Sequence, residues 1–380
     1  MKKYFTIALL LISGIAAAQT KKEELTLKDL AVPSSPAFVI TDIAPTLVQN
    51  PNTPKSFVLG VAQSAQQAGS LFPNNFSAEV APYWWVKPDG RSIYQFAGLR
   101  QTHGSAAYNS ENIWSGLKFT SLSVAFINKD LIPDAATTTQ KTFSVGIRTT
   151  LIKAHKKGYA TALNDKLSAW HTAALAGFNA NQQIITWMAD NPDATTEERR
   201  AQLAKFKDEG SRALLKEVSQ LMEQKPVFTL DLAGAYAAYG IDDNTVKTGR
   251  SGAWSSATFH IPFSKADDNK NYISISSSFR YLADNYQKND AGAIGYGDNY
   301  DVGGKIAFEL NQLSIGVESL RRNGYGVTDQ STRTVGVINV KLMDNLFVNG
   351  AFGQDFAGPN KLISVFGINW GFGKEKLTIE

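Results

Sequence analysis

Apolar and polar side chains alternate, one by one, along most of this chain. In the stretch 272–282, one face would carry Ile273, Ile275, Phe279 and Tyr281, and the other Ser274, Ser276, Ser278 and Arg280. Successive side chains of a β-strand point to opposite faces of the sheet, so a period of two predicts amphipathic strands. Most of the predicted strands reach the ~9–11 residues with which a tilted strand crosses a membrane. There are twelve such segments: 56–65, 76–86, 115–127, 141–152, 226–239, 252–263, 271–284, 301–311, 312–321, 332–342, 345–356 and 361–373.

The polar faces of these strands are charged, often in the middle of the strand. A soluble β-sandwich would place such charges in water and bury the apolar face against a second sheet. A membrane barrel would turn the apolar face to lipid and enclose the charges in its lumen. Alternation alone is compatible with both folds. The lumen-facing charged residues predicted for the barrel are Glu79, Arg148, Asp231, Arg280, Lys305, Glu309, Glu318, Lys341 and Asp355.

The N-terminus carries the pattern of an export signal. Lys2 and Lys3 precede an apolar stretch over 5–15, which is too short to span a bilayer. The three alanines at 16–18 have the small-residue spacing of a signal-peptidase site. Residues 1–18 are therefore predicted to be a cleaved signal peptide, and no later apolar run is long enough for a transmembrane helix.

Composition narrows the function classes. Charged residues make up only 19% of the chain and aromatic residues 11%, with 30 glycines, which is typical of a protein that presents apolar surface to something other than water. The absence of cysteine excludes disulfide scaffolds and thiolate metal sites. Without Lys2 and Lys3 the net charge is only +2, from 36 basic and 34 acidic residues, so nucleic acid is not an expected partner.

Three features favour the membrane barrel over the sandwich. The strand count is even, the chain carries an export signal, and aromatic residues cluster at strand ends. With both termini in the periplasm, these aromatics would form a girdle at the membrane interface. The tight connections 311–312 and 344–345 would then be periplasmic, and the Gly/Asn/Asp-rich segments 285–300 and 322–331 would be exposed extracellular loops. The girdle residues are Tyr83, Trp84, Trp85, Trp114, Trp370 and Phe372.

The prediction is an all-β transmembrane barrel of about 12 antiparallel strands over 56–373, with a tail at 374–380. It would lie in the cell outer membrane, with lipid as its surroundings. Residues 19–55 precede the first strand and contain five prolines (33, 36, 45, 51 and 54), too many for a central strand. Two interpretations of this segment stay open: a loose periplasmic tether, or a plug or strap at the barrel rim.

Three N-terminal motifs resemble a known group of proteins. They are VPSSPAFVITD at 32–42, PNTPKS at 51–56 and EVAPYWW at 79–85. They are similar to the N-terminal part of a poorly characterised group of Bacteroidota outer-membrane β-barrel proteins, over about the first fifth of the chain. The resemblance implies an outer-membrane barrel and carries no catalytic residue or ligand.

A helical period interrupts the strands at about 158–224, within an insertion predicted over 155–225. The segment 189–200 is a predicted turn, in which Thr195 and Glu198 have capping-box spacing. By strand parity this helical hairpin would hang in the periplasm. Its helices either bury their stripes on each other, or offer apolar surface to a protein partner or to the lumen. The stripes are Leu163, Leu167, Trp170, Ala174, Leu175 and Phe178, then Leu203, Phe206, Leu214, Leu215, Val218 and Leu221.

Residues that could carry chemistry are sparse. His103 and Ser105 invite comparison with outer-membrane phospholipase, which has a Ser/His/Asn site on a barrel wall, but their flanking residues do not resemble its motif. His260 falls on a predicted lumen face, and no two histidines share a metal-ligand spacing. The sequence therefore predicts a protein that is not an enzyme and has no cofactor or metal.

The predicted lumen charges, four basic and five acidic, leave two functions open. They could form an ion-pair network that blocks the bore, since unpaired charges in a narrow interior are strongly unfavourable. They could instead line a wet channel. The first function expected is a narrow channel for small solutes. The alternative is a non-conducting scaffold or accessory subunit that docks partners through the hairpin at 158–224.

Overall fold

The computed structural model describes most of the barrel, part of the N-terminal segment and most of the helical insertion. Residues 1–33, 50–55 and 373–380 lie outside the described part, so the signal peptide and the tail are outside it too. The described residues are 34–49, 56–63, 75–85, 93–96, 99–101, 108–110, 113–129, 140–191, 193–195, 197–198, 209–240, 246–263, 271–288, 294–325, 330–343, 346–356 and 362–372.

Within these residues, twelve strands form one closed antiparallel barrel, which confirms the predicted fold class. Each strand pairs with its neighbours along the chain, and the first pairs with the last, with Ser56 opposite Phe372. A separate two-stranded ribbon pairs β3 (Leu99–Gln101) with β4 (Tyr108–Ser110). The barrel strands are β1 (Ser56–Gln63), β2 (Asn75–Val80), β5 (Ser121–Lys129), β6 (Gln140–Ala154), β7 (Phe228–Gly240), β8 (Val246–Pro262), β9 (Asn271–Lys288), β10 (Ile294–Leu310), β11 (Leu313–Tyr325), β12 (Ser331–Met343), β13 (Leu346–Gln354) and β14 (Leu362–Phe372).

The barrel is apolar outside and polar inside. On β9, Ile275 and Phe279 are exposed, whereas the intervening Ser276 and Ser278 are buried in the interior. On β10, Ile306 and Phe308 are likewise exposed, at 52% and 53%. This distribution is the reverse of a soluble sandwich and is that of an outer-membrane-type barrel, in which lipid covers the outer face.

Several strands are longer than predicted. The segments 285–300 and 322–331 were expected to be exposed loops, but β9 extends to Lys288, β10 begins at Ile294 and β11 extends to Tyr325. The strand pairing continues into these segments because inward charges pair across neighbouring strands. Asp301, for example, lies opposite both Arg280 and Arg322. Cross-strand ion pairs thus outweigh the turn preference of Gly, Asn and Asp.

The second and third predicted strands are shorter than expected. β2 ends at Val80, and a helix, α2 (Pro82–Trp85), follows it, since Pro82 has no N–H to donate to the ladder. A 3₁₀ helix at Ile113–Phe119 occupies the predicted start of the third strand. Trp84 therefore lies in a helix that follows β2 and not at the end of a strand. Its ring packs at 5.3 Å and 5.4 Å from those of Phe96, in α3 (Ile93–Phe96), and Phe119.

The other girdle residues have mixed positions. Trp370 is exposed on the outward face of β14, as a girdle residue should be. Trp114 is also exposed, but it lies in the 3₁₀ helix and not in a strand. The side chains of Trp85 and Phe372 lie outside the described part of the structure.

The helical insertion lies between β6 and β7. Its first helix, α4 (Tyr159–Asp190), ends where the turn was predicted, and a later helix is α5 (Glu209–Met222). The capping box is confirmed: the Thr195 amide donates to the Glu198 carboxylate at 2.8 Å, and the Glu198 amide donates to the Thr195 hydroxyl at 3.2 Å. Hydrogen bonds from the Thr195 amide and the Thr195 hydroxyl to this carboxylate lower the pKa of the Glu198 carboxyl. Among the described helices, none is long and apolar enough to cross a membrane.

Among the hairpin side chains that the structure describes, those that are buried lie at its base. We call it the hairpin base; described side chains farther along α4, such as Thr186 and Asp190, are exposed. The side chains of the predicted stripe residues at 174, 175, 178, 203 and 206 lie outside the described part. Counting alternate strands places the hairpin at the same barrel end as the start of β1 and the end of β14. The hairpin base consists of Phe96, Phe119, Tyr159, Leu163, Leu167, Val218 and Met222.

Candidate functional site in the barrel lumen

The structure places residues 34–49 inside the barrel, where they fill its lumen; we call them the plug. Its apolar side chains, among them Phe38, Ile40 and Ile43, are fully buried and pack with inward wall residues such as Trp254 and Leu282. The plug begins with a short helix, α1 (Pro36–Val39). The Gln49 side-chain amide donates to the Ser34 carbonyl oxygen at 3.3 Å. The two ends of the plug therefore lie side by side, and the plug is a loop.

Small wall residues allow the plug to approach closely. The Ser144 hydroxyl donates to the Ala37 carbonyl oxygen at 2.5 Å, and the Ala37 amide donates to the Ser123 hydroxyl at 3.2 Å. A Cβ atom on Gly146 would lie only 2.7 Å from the Pro36 Cβ. Glycine is therefore required at position 146 for the plug to occupy its observed place.

At the tip of the plug, Asp42 meets three arginines of the wall, Arg250, Arg280 and Arg322, which we call the arginine trio. They lie on β8, β9 and β11. The Asp42 carboxylate accepts from Arg250 Nη1 at 2.9 Å, Arg280 Nη2 at 2.6 Å and Arg322 Nη2 at 3.0 Å. Two guanidinium groups also bind plug carbonyls: Arg280 donates to Val39 and Arg250 to Ile40. The tip is thus held by charged donors from three strands.

Closer to the plug's C-terminal end, Glu318 binds the plug backbone. Its carboxylate accepts from the Leu47 amide at 3.1 Å, the Val48 amide at 3.0 Å and the Thr46 hydroxyl at 2.5 Å. Glu318 and Arg322 lie on the same strand, β11, and Glu318 is nearer its start at Leu313. Because β11 starts at the hairpin end of the barrel, the tip of the plug points toward the opposite end, which we call the far end.

Two further basic residues of the wall, Arg333 and Lys305, bind the same part of the plug. Arg333 Nη2 donates to the Ala44 and Pro45 carbonyl oxygens, at 3.2 Å each, and Arg333 Nη1 donates to Asp355 at 3.2 Å. Lys305 Nζ donates to the Val48 carbonyl oxygen at 3.3 Å. The plug backbone over 44–48 therefore finds partners in wall side chains, whereas amides over 38–42 bond to carbonyl oxygens of the plug itself.

The remaining predicted lumen charges also lie on the inner face. Arg148 and Glu79 form a buried ion pair at 2.7 Å. Asp231 accepts from the Thr150 hydroxyl at 2.6 Å, and Glu309 pairs with Lys225. Lys341 is buried, with its Nζ 5.9 Å from the centre of the Phe347 ring. These charges thus contact one another, wall groups or the plug, and the bore is filled by the plug and not by the charges alone.

Sequence reasoning missed six charged residues of this network. Arg250 and Arg322 lay just beyond the predicted strand ends, at 252 and 321. Arg333 shares the inward face of β12 with Lys341, so alternation could have found it. Asp42 left no local signal, because its partners lie more than 200 positions away in the chain. The missed residues are Asp42, Arg250, Asp284, Asp301, Arg322 and Arg333.

The histidines form no chemical centre in the described part of the chain. His260 lies on the inner face, with Nδ1 2.9 Å from the Pro226 carbonyl oxygen. His155 stacks on Tyr159 at the hairpin base. His103 and Ser105 lie outside the described residues. Among the described residues, no group of three or more histidine, aspartate or glutamate side chains could hold a metal ion.

Fold and lumen together define a transmembrane β-barrel closed by its own N-terminal segment. Neither a family model nor a curated protein matches this chain. Among solved structures, it is similar to the transport unit of the autotransporter AIDA-I from Escherichia coli, at 11% identity and a TM-score of 0.33, over 89% of this chain and 100% of that one. A mutant porin of Rh. blastica is 8% identical, with a TM-score of 0.17, over 84% of this chain and 98% of that one. These likenesses assign no family or function.

Proposed function

We propose that this protein is a narrow, gated channel of the outer membrane for small solutes, which the plug holds shut. The observation that carries the proposal is that one short segment of the chain occupies the lumen, packed among inward wall side chains such as Trp254 and Leu282. A barrel of this size can be filled by large inward residues, or it can hold a bore. Here many inward residues are small or charged, and the plug occupies the space that they leave.

The lining of the lumen supports this proposal. Beside the plug, the wall presents serines such as Ser123 and Ser144, and charged groups such as Lys305, Glu318 and Arg333. If the plug withdrew, these groups would face water, as the lining of an aqueous channel does. In the closed state the plug and neighbouring wall groups satisfy these buried charges, and water would replace the plug's part of those contacts.

Deleting the plug tests the gate. Full-length protein in a planar bilayer should be closed for most of the recording, whereas a variant without residues 34–49 should show steady conductance. Heat-modifiable migration on a gel checks that the variant's barrel is folded. A folded deletion variant that stays non-conducting would refute the channel.

A reversible lock tests the same gate in the full chain. The sequence has no cysteine, so the double substitution Ala37→Cys and Ser144→Cys introduces a single pair. The Ser144 hydroxyl lies 2.5 Å from the Ala37 carbonyl oxygen, so these two residues are in contact between plug and wall. Oxidation should abolish channel openings and a reductant should restore them. Each single-cysteine variant should be insensitive to both treatments.

A second candidate function is that of a scaffold that binds a protein partner. The observation favouring it is the hairpin: α4 has 32 residues, roughly 48 Å at 1.5 Å per residue. Of its described side chains, those that belong to the hairpin base lie in its first turns. Replacing residues 158–224 with a short Gly/Asn turn should then remove a co-purifying protein and leave conductance unchanged. If no co-purified protein is lost, the scaffold role is refuted.

A further inference from the structure

The arginine trio is held in place by the wall and not only by Asp42. Asp284 pairs with Arg250, and Asp301 pairs with both Arg280 and Arg322. The guanidinium carbon of Arg322 also lies 3.8 Å from the centre of the Phe356 ring. The donors that point at Asp42 would therefore keep their positions if Asp42 left.

Charge makes this position an anion site. The trio carries three positive charges, and its two wall partners, Asp284 and Asp301, carry two negative charges. One positive charge thus remains for the plug, and Asp42 is the only charged residue among 34–49. An uncompensated buried charge is strongly unfavourable, so the trio requires an anion at the Asp42 position.

The Asp42 position is the most accessible part of the plug. The Asp42 side chain is 13% exposed, and those of Arg250 and Arg322 are 14% and 10% exposed. Every other described plug residue is buried. Because the tip points toward the far end, a solute arriving from that end would reach the trio before any other part of the plug.

We propose that the arginine trio is a binding site for a small carboxylate anion, and that Asp42 occupies this site when the lumen is shut. Three guanidinium groups donate to the two oxygens of the Asp42 carboxylate. Formate, acetate or a larger carboxylate has the same pair of oxygens and can accept the same hydrogen bonds. The existence of the site depends only on the observed contacts. The effect of occupying it rests on the proposed function: a carboxylate solute that replaces Asp42 releases the tip of the plug.

Chemical rescue of a cavity variant tests the site without any conductance measurement. Asp42 has a φ of 60°, which glycine adopts without strain, so Asp42→Gly removes the carboxylate and leaves room for an added anion. We expect Asp42→Gly to unfold at a lower temperature than the natural chain. Formate or acetate should raise that temperature by a few degrees, saturably, and chloride at equal ionic strength should not.

Matched variants exclude general salt effects. Asp42→Asn also removes the charge, but its side chain fills the space, so formate should not rescue it. In the Asp42→Gly background, Arg280→Gln should abolish the response to formate. Arg321→Gln should preserve it, because Arg321 is the neighbour of Arg322 on β11 but is exposed and bonds Gln330.

Other results would refute the carboxylate site. If formate stabilises the natural chain, Asp42→Asn and Asp42→Gly to the same extent, there is no carboxylate site. If Asp42→Gly does not fold in chloride, the yield of heat-modifiable barrel is measured after refolding with and without formate. A yield that depends on formate supports the site, and equal yields refute it. If formate rescues Asp42→Gly but the barrel never conducts, the carboxylate site is supported and only the channel is refuted.

Discussion

At the scale of single residues, Gly146 controls how closely the plug approaches the wall. Its absent Cβ would lie 2.7 Å from the Pro36 Cβ and 3.0 Å from the Ala37 nitrogen. Gly146→Ala should therefore push the plug away from this part of the wall. The overpacking should lower the stability of the plugged barrel by about 1–3 kcal/mol. The measured result should be a larger open fraction in single-channel recordings.

Gly234 on β7 is the control for that substitution, since a Cβ there would meet only the Gly252 carbonyl oxygen, at 3.4 Å. Gly234→Ala should leave the open fraction unchanged. If the two alanine variants behave alike, the contact at Gly146 does not hold the plug.

Lipid contact can also be tested at one residue. Ile306 is 52% exposed on β10 and lies near the middle of the ~10 residues that cross the membrane, counted from the turn after Leu310. Ile306→Arg should lower the free energy of unfolding in lipid by about 2–4 kcal/mol. Leu310→Arg, at the strand end, should cost only about 0–1 kcal/mol. Equal losses at both depths would show that no membrane surrounds this face.

At the scale of elements, the hairpin base should respond to pH. Burial, and then the nearby Lys153 charge, lower the pKa of His155 from 6.5 to about 3. The native base therefore holds neutral His155, stacked at 4.1 Å on Tyr159, whereas an opened base would bind a proton below pH 6.5. Stability of the base should be constant above pH 6.5 and should fall as the pH drops from 6.5 toward 3.

The expected loss at pH 5 is about 2 kcal/mol, from the 1.36 kcal/mol that each pKa unit represents. Hydrogen exchange of amides in residues 159–167 measures it, because these amides report opening of the first turns of α4. His155→Phe keeps an aromatic ring against Tyr159 and has no proton to bind. Its exchange profile should therefore lose the pH dependence below pH 6.5, and a retained dependence would assign it to another group.

At the scale of the whole molecule, the barrel places the hairpin and the start of β1 at the same end. We expect this end to be periplasmic, because outer-membrane barrels have short turns on that side. The turn between β10 and β11, at 311–312, is at this end and has only two residues. A protease site inserted near residue 193 should stay uncut in intact cells, and one near residue 293 should be cut. The reverse pattern would invert the proposed orientation, and with it the direction from which a solute reaches Asp42.

The number of strands and the identity of their faces could be predicted from the sequence alone. Both are local properties: whether Ile275 or Ser276 faces outward follows from the residues beside it, because a strand alternates with a period of two. The capping box of Thr195 and Glu198 is local in the same way, since its two residues are three positions apart. The inward charges on these strands could be predicted for the same reason.

Only the tertiary structure decided what those charges bind and what fills the lumen. The sequence predicts Trp84 at the end of a strand, yet it lies in a helix and packs at the hairpin base, because segments separated along the chain meet there. The plug has the composition of a loose tether until barrel closure brings Glu318 to Leu47 and Arg280 to Asp42. These contacts span more than 230 positions, so no window of sequence contains both partners. The strands of the barrel therefore follow from local sequence patterns, whereas the filling of its lumen by the plug depends on contacts between residues far apart in the chain.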